Sequence, residues 1–143
     1  MDSVTLRNLF MQTLEEYDQS YETRGDSSVS IAFDGDNLDK IEVHVAFVTT
    51  EDGTMGAVIN CFDLFNFKDK LAEGLMACNQ ANDDELIKYY LDSDYDVVAC
   101  SAVTFNAVGV ECAFIPELVL TEAMLVALSV DETYPTFAKA KWA

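Results

Sequence analysis

Asp92-Ser93-Asp94-Tyr95-Asp96 places three carboxylates at alternating positions, the spacing with which an EF-hand loop begins to gather oxygens around calcium. The rest of that pattern fails. Val97 stands at the sixth position, where glycine makes the sharp turn, and Val103 at the twelfth, where a bidentate glutamate closes the shell. A solvated hairpin turn is therefore the expectation for this segment. Asp34, Asp36 and Asp39 form a second acidic turn that lacks the same glycine and distal glutamate.

His44 is the single histidine, so a histidine-based metal cluster is excluded and any catalytic triad must run through this residue. It alternates with Ile41, Val43, Val45 and Phe47 and shares the polar side of that run with Glu42, so both are read on the face of a strand that meets water or a partner. No nucleophile converges on it in the sequence, and a solvated strand residue is the expectation. Asp94, Asp96 and Val98 are similar to the Asp-x-Asp-x-Val opening of haloacid-dehalogenase phosphotransferases, but the parallel βαβ framework that presents those carboxylates is missing. Gly53 and Gly56 make no phosphate loop. Cys61, Cys78, Cys100 and Cys112 each sit in an apolar setting without Cys-x-x-Cys spacing, which reads as free, inert thiols in a reducing compartment.

The elements that hold these residues follow from hydrophobic period. Leu6, Leu9, Phe10, Leu14, Tyr17 and Tyr21 form one stripe of an amphipathic helix capped by Asp2 and ending near Gly25. Ser28 to Phe33, Leu38 to Thr49 and Thr54 to Leu64 are β-type runs joined by Asp34-Gly35-Asp36-Asn37 and Glu51-Asp52-Gly53, an antiparallel meander. Phe67, Leu71, Leu75 and Cys78 recur at helical spacing up to Asn79-Gln80-Ala81-Asn82, with Gly74, Ala77 and Ala81 as a small-residue stripe for close packing on the chain's own sheet or on a second subunit. From Leu86 to Ala102 the period shortens to two, which predicts a hairpin. A last helix opens near Pro116 with Val119, Met124, Leu125 and Leu128 on its apolar side, and Asp131 to Trp142 continues it past a break or kink at Pro135. Phe62, Phe65 and Phe67 read as core, or as a docking edge if exposed. The predicted order is α-β-β-β-α-β-β-α, an α+β fold with a mainly antiparallel sheet and helices packed on one face.

The chain has 143 residues, half of them hydrophobic, enough for one core, and residues 1–143 are read as a single domain. Its formal charge of −18, from 8 basic and 26 acidic residues, is spread along the chain and disfavours nucleic acid and anionic membranes as partners. No secretory signal is read at Met1-Asp2-Ser3-Val4. The run from Val97 to Val110 falls short of the roughly 20 apolar residues of a membrane span. A cytoplasmic protein is expected.

Three stretches carry a family likeness: Leu71 to Asn82, a helix closing on Asn-x-x-Asn; Leu86-Ile87-Lys88-Tyr89-Tyr90-Leu91-Asp92; and Val130-Asp131-Glu132-Thr133-Tyr134-Pro135 with Lys141-Trp142. In this order the chain resembles the YbjN family of bacterial proteins, described as sensory transduction regulators with the fold of type III secretion chaperones. Asp83-Asp84-Glu85 departs from the basic helix-strand junction of that family. The resemblance implies a non-enzymatic, chaperone-like interaction or regulatory module, often a homodimer, without a cofactor. Catalytic and metal residues are assigned nowhere. Glu42 and His44 are the candidate partner surface, and the partner is another protein or a second copy. Alternatives are a small-molecule or divalent-metal protein or enzyme using clustered carboxylates, and an acidic inhibitor mimicking nucleic acid.

Overall fold

The computed structural model describes residues 2–105 and 115–143. Its elements are α1 (Ser3–Glu16), β1 (Tyr21–Arg24), β2 (Ser28–Phe33), β3 (Ile41–Thr49), β4 (Met55–Cys61), α2 (Leu71–Asp84), β5 (Lys88–Leu91), β6 (Val97–Phe105) and α3 (Ile115–Trp142). The strands form one antiparallel sheet in the order β1-β2-β3-β4-β6-β5, with all three helices on one face. The expected α+β architecture is thus present, with one strand more than the period analysis supplies.

That extra strand arises because α1 stops early. Asp18 adopts a left-handed conformation at φ 54°, while Gln19 N donates to Leu14 O and Asp18 N to Glu15 O. This is the Schellman closure that normally uses glycine. An aspartate in that position hid the stop, and Tyr21, expected on the helical stripe, pairs instead with Ile31 as the first residue of β1.

Val29, Ile31, Ile41, Val43, Val45, Ile59, Val97 and Ala99 point from the sheet into the core, where Leu6, Phe10 and Leu14 of α1 and Val119, Ala123, Val126 and Val130 of α3 meet them. In α2 the buried residues are Gly74, Ala77, Cys78 and Ala81, so the small-residue stripe packs within the chain. Phe67 precedes the helix, Leu71 and Leu75 are exposed, and the helix runs on to Asp84 beyond the expected end at Asn82. The reason is steric: a Cβ on Gly74 would lie 2.6 Å from Phe67 Cβ, so the aromatic ring fills the place that leucines were expected to occupy.

α3 is one helix through Pro135, so of the expected break or kink there is no break. A proline cannot donate to the carbonyl four residues earlier, here that of Asp131. Asn37 Nδ2 donates to that oxygen at 2.9 Å and satisfies it. Met124, Leu125 and Leu128, expected to face the core, are exposed, and Val126, Ala127 and Val130 take their place. β5 is tied to α3 by a buried triad in which the Tyr89 hydroxyl lies 2.7 Å from Ser129 Oγ and accepts from Thr133 Oγ1 at 3.1 Å. Its outer backbone is covered by Asn82, which bonds both the amide and the carbonyl of Tyr89. The outward backbone groups at the middle of this edge strand are thereby occupied. No helix among the described residues is long and apolar enough to cross a membrane.

Candidate functional site

Glu42 and His44 alternate with the core residues Ile41, Val43 and Val45, so the pleat sends them to the sheet face that carries no helix. Register assembles their neighbours. Ser30 lies opposite His44, Asn60 lies on its other side, and Cys100 is next in the same row. Arg24 Nε donates to Ser30 Oγ at 3.2 Å, and Ser30 Oγ lies 2.7 Å from His44 Nδ1. The Arg24 guanidinium also reaches Glu42 at 3.3 Å, and His44 Nε2 stands 3.8 Å from the same carboxylate. The imidazole packs against the Phe62 ring at 5.3 Å.

Serine, histidine and glutamate therefore come together here, which the sequence did not bring out. The order of contacts is that of a structural network. Ser30 is only 4% exposed, so the hydroxyl that would attack a substrate is closed off, and the neighbouring strand amides belong to the ladder and supply no oxyanion donors.

The shape around this network is more informative than its chemistry. One depression of about 330 Å³ runs from Lys40, Glu42 and His44 past Phe62 to Phe65 and Tyr134. A second, of about 420 Å³, runs from Lys40 and Glu42 over Ile31 and Ala32 to Tyr21 and Glu22 on the β1 edge. Both are lined by Lys40 and Glu42, so the two depressions lie side by side across this end of the sheet as a groove divided at these two side chains. It exists because β1 pairs with β2 only as far as Ile31, leaving Ala32 and Phe33 uncovered. Gln19 Nε2 occupies the Ala32 carbonyl at 3.0 Å. The far wall is aromatic: Phe65 lies 5.4 Å from Tyr134, 5.9 Å from Phe137 and 5.4 Å from Trp142. Of the three phenylalanines read as core or docking edge, Phe65 and Phe67 are core and Phe62 is exposed.

Sequence reasoning missed the residue that holds the connection bearing Leu38 and Lys40, which line one side of the groove. The connection from Asp34 to Lys40 is held by Asp131, whose Oδ2 accepts from Asp36 N at 2.9 Å and whose Oδ1 accepts from Asn37 N at 2.8 Å and Leu38 N at 2.9 Å. Burial works to raise the Asp131 pKa, and the three amides outweigh it and hold the carboxyl below its ordinary 3.8. Gly35 permits the approach, because a Cβ there would lie 2.7 Å from Leu38 O and closer still to the carboxylate. The available signal was a lone aspartate on the flank of α3 shared with the buried Leu120 and Ala127.

The other candidates are placed as follows. The carboxylate oxygens of Asp92, Asp94 and Asp96 lie within 4.8 Å of one another, but Asp92 Oδ1 accepts from the amides of Asp94 and Asp96, and Asp96 Oδ1 accepts from Asn66 Nδ2. This is a self-bonded turn, and its Tyr95 is left-handed at φ 66°. The second acidic turn, at Asp34, Asp36 and Asp39, turns its amides toward Asp131. Cys61, Cys78 and Cys100 are unbonded, and burial pushes the Cys61 thiol up to about 12 and the Cys78 thiol up to about 11. Cys112 lies outside the described residues. No protein-family model matches the chain, and no curated protein matches it either.

Proposed function

We propose that this chain is a non-enzymatic protein-interaction module that receives an extended segment of another protein in the groove at the Lys40 and Glu42 end of its sheet. The groove itself carries the reading. It is lined by Ala32, Phe62 and Leu64 with a few polar groups at Lys40, Glu42 and His44, and it leads past Tyr21 and Glu22 onto the β1 edge. An apolar trough beside an unpaired strand edge suits β-augmentation, in which the edge supplies backbone hydrogen bonds and the pockets read alternate side chains. On the opposite edge Asn82 occupies the outward amide and carbonyl of Tyr89, whereas β1 carries no strand on its outer side among the described residues.

The resemblance to the YbjN family and to secretion chaperones supports the same class of role in a bacterial cytoplasm. The −18 charge favours a segment without strong acidity. The test is affinity capture from the native cytosol followed by amide NMR titration with the captured segment. Shifts concentrated at Tyr21 to Arg24 and Leu38 to His44, weakened by Glu42→Ala with His44→Ala, support the reading. A captured segment that leaves those amides unmoved refutes it.

A further inference from the structure

α3 is apolar on both sides. Val119, Ala123, Val126 and Val130 face the sheet, while Leu118, Met124 and Leu128 are each 53% exposed and Leu125 is 46% exposed on the opposite side. At 100° per residue these four fall within one arc of about 120° pointing away from the core. Thr121 lies in the same arc with its hydroxyl bonded to Glu117 O at 2.9 Å, so its polarity is already satisfied. Side chains of this size left in water as a contiguous seam mark a binding surface more than scattered exposed leucines would.

Two depressions flank the seam and meet at Met124. One, of about 390 Å³, lies between Tyr17, Glu117, Thr121 and Met124. The other, of about 220 Å³, lies between Met124, Leu128, Asp34 and Asp36. The charges around them have one sign. Glu117 closes one end and Asp34 with Asp36 the other, while Glu122 and Glu132 border the seam along α3. No lysine or arginine lines either depression, and α3 has no cation before Lys139.

We infer that this seam is a second docking surface, separate from the sheet groove, and that its occupant is a basic amphipathic helix of another protein. Leu118 to Leu128 spans ten helical rises, about 15 Å at 1.5 Å per residue, so the occupant contributes roughly three turns. Its apolar positions at i, i+3, i+4 and i+7 lie against Met124 and Leu125, and its Lys or Arg flanks meet Glu117, Glu122, Asp34 and Asp36. Charge decides against a second copy of this chain, since a symmetric contact would bring the same acidic rim onto itself.

The probe is a fluorescein-labelled 14-residue Leu/Lys peptide with a helical seam, followed by anisotropy against the full chain. Two controls are the same composition without the seam and the Leu/Glu version. The seamed Leu/Lys peptide binds and both controls bind at least tenfold more weakly. Met124→Ser with Leu128→Ser lowers its affinity at least tenfold, and so does Glu117→Lys with Asp34→Lys. Both pairs lie at exposed positions, and unchanged urea midpoints confirm that folding is retained. Glu42→Ala with His44→Ala leaves this binding unchanged, which separates it from the sheet groove. Equal binding of the seamless control, or insensitivity to the seam substitutions, overturns the inference as mere adhesion to an acidic coat. Sedimentation showing a dimer that the seam substitutions dissociate overturns it in favour of a second copy.

Discussion

Replacing Asp131 with asparagine changes few atoms and tests how the groove is held. The native carboxylate accepts three backbone hydrogen bonds at 2.8 to 2.9 Å, with Oδ1 taking Asn37 and Leu38 and Oδ2 taking Asp36. An asparagine can keep its oxygen on the first two amides, but its NH2 then faces the Asp36 N–H, donor against donor. One hydrogen bond to a charged acceptor is lost and two more lose their charge assistance. With about 1.5–3 kcal/mol for a hydrogen bond to a charged group and about 1–3 kcal/mol for a buried group left unpaired, the net cost is about 2–4 kcal/mol. A domain of this size has about 5–15 kcal/mol to lose, and the melting temperature falls by about 4–16 °C.

Urea unfolding at pH 7 reads the loss as a lower midpoint at constant slope. The pH dependence separates this cause from a packing defect. The Asp131 pKa is lowered in the folded chain, so its contribution is complete above the ordinary value of 3.8 and disappears as pH falls through the lower folded value. The gap between native protein and Asp131→Asn therefore narrows in that acid window. A loss below about 0.5 kcal/mol at pH 7, or a gap independent of pH down to complete acid unfolding, refutes the assignment.

Gly74→Ala gains up to about 1 kcal/mol of helix propensity but drives a methyl into Phe67, for a net destabilisation of about 1–2 kcal/mol in urea; an unchanged or raised midpoint contradicts the packing described. Thiol labelling at pH 8 with peptide-resolved mass spectrometry modifies half-buried Cys100 before Cys61 and Cys78. The latter two react only with global unfolding, and early labelling of Cys61 contradicts its burial.

The candidate surface was legible where local pattern and side-chain direction coincide. Period two along Ile41 to Phe47 fixed which face Glu42 and His44 occupy, because a strand has only two faces. It did not reveal Ser30 and Arg24 as their neighbours, since cross-strand register depends on where each strand begins and stops. The β1 strand was lost for that reason, with Asp18 closing α1 in a conformation usually supplied by glycine.

By itself, the sequence determined the α+β class, the antiparallel meander and the acidic surface, all properties of local period and composition. Only the tertiary structure decided which side of α3 met the sheet, because both sides are apolar and the hydrophobic pattern alone ranks them equally. It also decided the fate of Pro135 and Asp131. The carbonyl released by proline and the buried carboxylate beside it find their donors at Asp36, Asn37 and Leu38, more than ninety residues away, where no local rule reaches.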